Sequence, residues 1–459
     1  MKRDAKIFVA GGTGMVGSAI IRRLMGAGYV NIVSNYHRRH PGLSSFRSAG
    51  VGGGLDIVCE GPLFSLTGPS CPPVRFFPLD LTRQAETEAF FDGQRPDFVF
   101  FASARVGGIY ANSTYKADFI YENLAMATNV IGASHRFGVA KLLNLGSSCI
   151  YPRSARQPLT EDALLTGALE ATNEPYAIAK IAAIKLCRYY NEQYGTDFIS
   201  LMPTNLYGPG DNFDLETSHV LPALIRKYHL GRLLSQGDFP GIKRDFVAFG
   251  NGHAATPDGT LEIGPGSPPE DVTALLARFG IAGQPPSSSP SLADDVSRFT
   301  NHASRLTQSP ITNHQSRITN HESRITLYQS RITNHASRIT NHEPRPVTVS
   351  LWGTGSPLRE FLHVDDLAEA SVYVMERFNH ADMGEFVNVG TGRDLTIGEL
   401  AAKVAGAVGF GGETVYDASM PDGTPQKLLD VSRMARLGWS ASIGLEEGIG
   451  AAYVWYLEQ

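Results

Sequence analysis

Apolar and polar positions alternate in blocks through the first third of the chain. KIFVAGG is a short apolar run ending in glycines, TGMVGSAIIRRLMGAG spaces its apolar residues as a helix does, and YVNIVSN is apolar again. Over residues 6–37 that order predicts strand, Gly-rich turn, amphipathic helix and strand, one βαβ unit. The alternation continues with VRFFPLDL (74–81), a short helical stretch, DFVFFAS (97–103), a long helix through YENLAMATNVIGASHRFG, and KLLNLGSS (141–148). Strands this uniformly apolar belong in a parallel sheet covered on both faces. The pattern therefore predicts an α/β fold with a doubly wound parallel sheet over 1–204. Residues 205–234 and 346–459 read as a smaller substrate-binding part, some of it returning to the first domain.

Two stretches interrupt the alternation and read as low-complexity insertions. Residues 41–73 are rich in Gly, Pro and Ser where a tight connection after the second strand is expected. Residues 235–345 contain PPSSSPS and then SRITNHE, SRITLYQ, SRITNHA and SRITNHE (316–343). A seven-residue period invites a coiled coil, but only isoleucine recurs as a strongly apolar residue, and a coiled coil needs two per period. Asn, Thr and Ser are also poor helix formers. The stretch reads as disordered insertion, with metal or anion binding by its His and Arg as the lesser alternative.

Composition narrows the function classes. Of the 459 residues, 42% are hydrophobic and 19% charged, as in globular proteins, and a net charge of −5 points to neither nucleic acid nor membrane. Four cysteines without a CxxC pair exclude a disulfide scaffold and a structural zinc site, and no metal is expected. The opening MKRDAKIFVAGG runs directly into a strand, so a cytoplasmic location is expected.

The chemistry begins at the first turn. Gly11, Gly14 and Gly17 in GGTGMVG stand between a strand and a helix, where glycines let backbone approach a pyrophosphate at the helix N-terminus. This makes the sheet Rossmann-type, with Gly11, Gly12, Thr13, Gly14, Met15, Val16 and Gly17 as cofactor contacts. The second strand ends in SNYHRRH with no nearby carboxylate for a ribose hydroxyl. Arg38 and Arg39 suit a 2′-phosphate, so NADPH is expected over NADH; both arginines simply solvated is the alternative. In EPYAIAK, Tyr176 and Lys180 are four apart on one helix face. An ammonium beside a phenol favours phenolate and lowers its pKa from about 10 toward neutrality. Ser147, at the end of its strand, is placed to hydrogen-bond the same substrate oxygen.

GSSCIYP with NEPYAIAK, ARVGGIYANSTYKADFIYEN, MPTNLYGPGDNF, SHVLPALIRK, LWGTGSPLREFLHVDDLA and PDGTPQKLLD resemble the GDP-L-fucose synthases, extended short-chain dehydrogenases/reductases. The resemblance covers nearly everything outside the two insertions. It implies conversion of GDP-4-keto-6-deoxy-D-mannose to GDP-L-fucose with NADPH, by epimerisation at C3 and C5 and then reduction at C4. It implies Cys149 as base and His219 as acid for epimerisation, with Ser147, Tyr176 and Lys180 serving reduction. It also implies cofactor contacts at Asp80, Leu81, Leu145, Lys180, Pro203, Leu206 and His219. Asn205, Lys227, Trp352, Arg359 and Asp422 are the implied substrate contacts, with Lys227 where many members carry arginine. A homodimer through the long helices beginning at Tyr110 and Tyr176 is expected on the same ground. Three alternatives stay open from the residues alone: a nucleotide-sugar 4-epimerase, a 4,6-dehydratase, or a cofactor-binding protein inactivated by its insertions.

Overall fold

The computed structural model describes residues 1–37, 40, 46, 55–68, 71–256, 259–283 and 346–459. Eight strands, β1 (Ile7–Ala10), β2 (Ile32–Tyr36), β3 (Asp56–Glu60), β4 (Leu63–Gly68), β5 (Cys71–Pro78), β6 (Phe98–Phe101), β7 (Lys141–Leu145) and β8 (Phe198–Pro203), join the later strand Val387–Val389 in one sheet. Its order is (Val387–Val389)–β8–β7–β6–β1–β2–β5–β4–β3. All pairings from Val387–Val389 to β5 are parallel. Every residue of β1, β2, β7 and β8 is buried, which is why these strands are mostly apolar, and their few polar residues, such as Ser34, Asn35 and Asn144, are enclosed with them. The helices α1 (Met15–Gly26), α2 (Gln84–Gln94), α3 (Ile109–Thr114), α4 (Lys116–Arg136) and α5 (Glu174–Tyr194) connect the strands. The chain runs outward from β1 and then returns to β6 on its other side, so the sheet's switch point opens a crevice at the carboxyl ends of β1 and β6.

Residues 41–73 are not wholly an irregular insertion. Asp56–Glu60 and Leu63–Gly68 form an antiparallel hairpin that lengthens the sheet beyond β5. The alternating apolar residues of IVC and LFSL supply it, with Gly61 at φ 62° in its turn. Flanking Gly, Pro and Ser hide those residues in the sequence. Leu66 is fully buried against the main core. The long helix expected from Tyr110 begins at Lys116; the backbone breaks at Tyr115 (φ −103°, ψ 43°) after the short α3.

The second domain assembles around α6 (Val220–Ser235), α7 (Phe239–Phe249) and α8 (Pro269–Arg278). Its strands are β9 (Asn205–Tyr207), β10 (His253–Thr256), β11 (Gly259–Glu262), β12 (Ile281–Gly283), β13 (Val347–Trp352) and β14 (Leu358–His363). After β15, the Val387–Val389 strand of the large sheet, follow β16 (Asp394–Thr396), β17 (Glu413–Asp417) and β18 (Gln426–Lys427). Residues 239–283 therefore belong to this domain, correcting the insertion expected from 235. Ile242, Phe246, Val272, Leu275, Leu276 and Ile281 are buried in one core with α6 and β13. Arg226 on α6 is fully buried; its Nε donates to Asp245 Oδ1 at 2.8 Å, and its remaining N–H groups reach carbonyls of Phe213, Phe249 and Gly250. The SRITNHE-like repeats lie outside the described residues. No helix among the described residues is long and apolar enough to cross a membrane.

Candidate active site

The crevice is a cleft of about 940 Å³. One wall is the turn after β1. Gly11 sits at φ 85°, and its N–H donates to Asn35 Oδ1 at 2.8 Å, tying the turn to the end of β2. A side chain here has no room: a Cβ on Gly12 would stand 2.1 Å from Ser34 Oγ, and one on Gly17 2.2 Å from the Gly11 carbonyl oxygen. Gly14 caps α1 with no side-chain hydrogen bond, so the first N–H groups of that helix remain available to a ligand. A Gly-lined cradle at a bare helix N-terminus fits a dinucleotide pyrophosphate. Thr13, Met15, Val16, Asp80, Leu81, Leu145, Pro203 and Leu206 line the same cleft, while Gly12 is buried behind it. Asp80 faces both His37 Nε2 and Arg83 Nε at 3.8 Å; against burial, its hydrogen bonds from Thr82 together with His37 and Arg83 hold its carboxyl low. Arg38 and Arg39 lie outside the described residues.

Opposite the turn stand Ser147, Tyr176, Lys180 and His219. Ser147 follows β7; its hydroxyl accepts from the Cys149 backbone N–H at 3.5 Å and acts to lower the proton affinity of both the Tyr176 phenol and the Cys149 thiol. Lys180 is buried and donates to the Leu145 carbonyl at 2.8 Å, with Nζ 5.7 Å from the Tyr176 ring centre. Burial lowers its pKa to about 8, with Cys149 opposing. The phenol departs from expectation: in this structure burial, then the Cys149 charge, push Tyr176 above its ordinary value. Lys180 spends its hydrogen bond on the Leu145 carbonyl instead of the phenol, and the enclosed phenolate lacks a solvating cation. Cys149 is buried just below the cleft, in a recess of about 10 Å³ that it shares with Glu170, Gln426 and Lys427. Burial raises its pKa, opposed by Lys427, Ser147 and Lys180. His219 begins α6 and opens onto the cleft; enclosure by protein, then Lys427, lower its pKa.

The other expected substrate contacts cluster on the second domain, beyond the cleft's lining. Lys227 Nζ donates to the Ser350 carbonyl at 3.1 Å, two residues before Trp352, and burial lowers its pKa to about 8. Trp352 is 62% exposed, an indole with its face free at the end of β13. Burial lowers the Arg359 pKa and Asp422 opposes this; Asp422 itself accepts from Thr354 N at 2.7 Å. Only Asn205 of this group lines the cleft, held by its amide donating to the Glu360 carbonyl at 2.8 Å.

Three polar residues of the site were missed in the sequence. Asp211 lines the cleft with one carboxylate oxygen unpartnered, and burial raises its pKa to about 7. Fully buried Glu360 gathers the backbone N–H groups of Thr391, Gly392 and Leu429 at 2.6–3.0 Å. Lys427 lies within the PDGTPQKLLD motif, but nothing in spacing distinguishes it from a surface lysine; only the fold puts it beside Cys149. Among the described residues no cluster of three His, Cys, Asp or Glu side chains could hold a metal.

A glycine cradle facing a Ser–Tyr–Lys set across the switch point of a parallel sheet is the layout of a nicotinamide-dependent short-chain dehydrogenase/reductase. The model of the NAD dependent epimerase/dehydratase family matches residues 7–255 and 308–390. GDP-L-fucose synthase 1 of Arabidopsis thaliana is 38% identical over 456 residues, covering 99% of this chain and 94% of that protein. GDP-L-fucose synthase of Escherichia coli is 37% identical, covering 99% and 97%. A GDP-mannoheptose C4 reductase from Campylobacter jejuni, solved with NADP bound, superposes with TM-score 0.66 at 30% identity, covering 100% of this chain and 99% of that one. The chain belongs to the NAD dependent epimerase/dehydratase family and, within it, to the GDP-L-fucose synthases.

Proposed function

We propose that the chain makes GDP-L-fucose from GDP-4-keto-6-deoxy-D-mannose, with NADPH as reductant, and that Cys149, His219, Ser147, Tyr176 and Lys180 carry the chemistry. The observation that supports this most directly is that Ser147, Tyr176, Lys180 and His219 line one cleft with the glycine turn, while Cys149, two residues after Ser147, donates its backbone N–H to the Ser147 hydroxyl.

The substrate's 4-ketone makes the C3 and C5 hydrogens acidic, because the electron pair left behind delocalises onto the carbonyl oxygen. Cys149, as thiolate, takes the proton from carbon and becomes the thiol. Ser147 and Tyr176 hold the enolate oxygen by hydrogen bonds that strengthen as charge develops. His219, as imidazolium, gives a proton to the opposite face and becomes neutral. Its lowered pKa makes it a ready donor once protonated. Each inversion leaves sulfur protonated and nitrogen bare, so a proton passes back before the next. When bound, NADPH supplies hydride to C4. Tyr176 then protonates the new alkoxide, and Lys180 anchors the phenol's surroundings through the Leu145 carbonyl.

Lys227, Trp352, Arg359 and Asp422 are assigned to the GDP moiety: cations for the diphosphate, the exposed indole for the base. The preference for NADPH draws support from the NADP-bound reductase relative and from His37 and Arg83 at the cleft rim. A homodimer through α4 and α5 is supported by exposed Tyr121 (69%), Tyr189 (53%) and Ile178 (40%) on those helices. A reducing cytoplasmic setting suits the free thiol of Cys149.

The test is product analysis of Cys149→Ser with the 4-keto sugar. Slow NADPH oxidation yielding unepimerised or partly epimerised sugar supports the assignment. Unchanged fucose output removes Cys149 from the mechanism, and turnover by the wild type without net NADPH oxidation removes the reductase reading.

A further inference from the structure

Lys427 has no task in the mechanism so far, yet it is placed as firmly as the groups that do. Its strand β18 pairs with β14, with Arg359 opposite Lys427. The next two backbone N–H groups are also held: Leu428 donates to Gln157 Oε1 at 2.9 Å, and Leu429 to the buried Glu360 carboxylate at 3.0 Å. The lysine stem is thus fixed on both sides. Its side chain shares the 10 Å³ recess with Cys149, a space for no more than one water. Among the described residues its ammonium makes no hydrogen bond and no ion pair. An enclosed cation that has only the attraction of Glu170, with no direct ion pair, is better compensated when a further anion forms next to it. The thiolate of Cys149 is the one anion that the proposed chemistry creates in that recess.

Resting on the assignment of Cys149 as base, we propose that Lys427 is a positioning residue that stabilises the Cys149 thiolate. One fixed positive charge beside the sulfur lowers its proton affinity and helps it to lose its proton. Other charges face the recess as well. Lys180 on α5 acts on Cys149 with the same sign as Lys427. Glu170 attracts Lys427 and Arg359 on β14 opposes its charge. Of these, Lys427 shares the recess with Cys149, and its charge also acts on His219 in the same sense. Its own pKa is lowered, first by burial, with Cys149 and Glu170 opposing.

The test reads the thiolate directly in the full-length protein, without substrate. Thiolate absorbance at 240 nm is followed against pH as the difference between each protein and its Cys149→Ser counterpart. In Lys427→Met the Cys149 midpoint rises by about one pH unit, the scale on which one nearby charge acts; in Lys427→Arg it stays within about half a unit of wild type. Thermal melting confirms that both variants fold, and Lys427→Gln serves in their place if methionine does not. A midpoint unmoved in a folded Lys427→Met protein overturns the proposal. So does a raised KM with unchanged kcat and an unchanged titration, which makes Lys427 a phosphate anchor only. Epimerised product from Cys149→Ser would sink the assignment of the base instead, and leaves the titration to judge Lys427 alone.

Discussion

Replacing residues 284–345 with a four-residue Gly-containing turn tests the domain organisation most sharply. Gly283, the last residue of β12, is the antiparallel partner of Val347, the first of β13. The chain thus leaves and re-enters the second domain at adjacent positions, and a short loop closes the gap without moving either strand. Closing the chain over roughly 60 residues instead of about four costs about 2 kcal/mol more, by (3/2)RT ln of the length ratio. The shortened protein is therefore expected to gain about 2 kcal/mol, seen as a rise of a few degrees in Tm by calorimetry. NADPH oxidation with the 4-keto sugar should match wild type. Extending the deletion back to 235 should abolish folding of the second domain, because α7, α8 and β12 leave with it. Loss of activity in a folded 284–345 replacement would refute the reasoning and give that segment a part in the site.

Three further outcomes follow from particular contacts. Gly17→Ala puts a Cβ 2.2 Å from a backbone oxygen, so α1 must move away from the turn; a loss of about 1–3 kcal/mol in stability and a large rise in NADPH Kd by fluorescence titration are expected, and wild-type binding would contradict the cradle. Arg226→Met leaves the Asp245 carboxylate buried without its guanidinium, and should cost about 3–5 kcal/mol in urea unfolding; a change under about 1 kcal/mol would show that the network is solvated. Lys180 titrates at about 8, so its cation is present below that pH and lost above it. The reduction rate should fall about tenfold per unit once pH exceeds that value, and a profile flat to pH 10 would exclude Lys180 as the cation of the reducing set.

The rhythm of apolar runs and the glycines at 11, 14 and 17 were enough to place the parallel sheet and its cofactor turn, since both follow from local rules of burial and backbone freedom. The Tyr176–Lys180 spacing was equally plain, because one helix face presents both. Hairpin β3–β4 was hidden, as its few apolar residues sit among Gly, Pro and Ser and gain their meaning only from the sheet edge they join. So was the start of the second domain's core at 239–256 and 259–283, whose apolar residues pack against α6 and β13, distant in sequence, as well as against each other. The sequence by itself determined which chemical groups the protein carries and which elements present them. Tertiary structure alone decided their electrostatic state: burial raises Tyr176 and Cys149, the surrounding protein lowers His219, and the fold brings Lys427 across more than 270 residues to the thiol. Proton affinity depends on what surrounds a group in space, and no spacing along the chain encodes that.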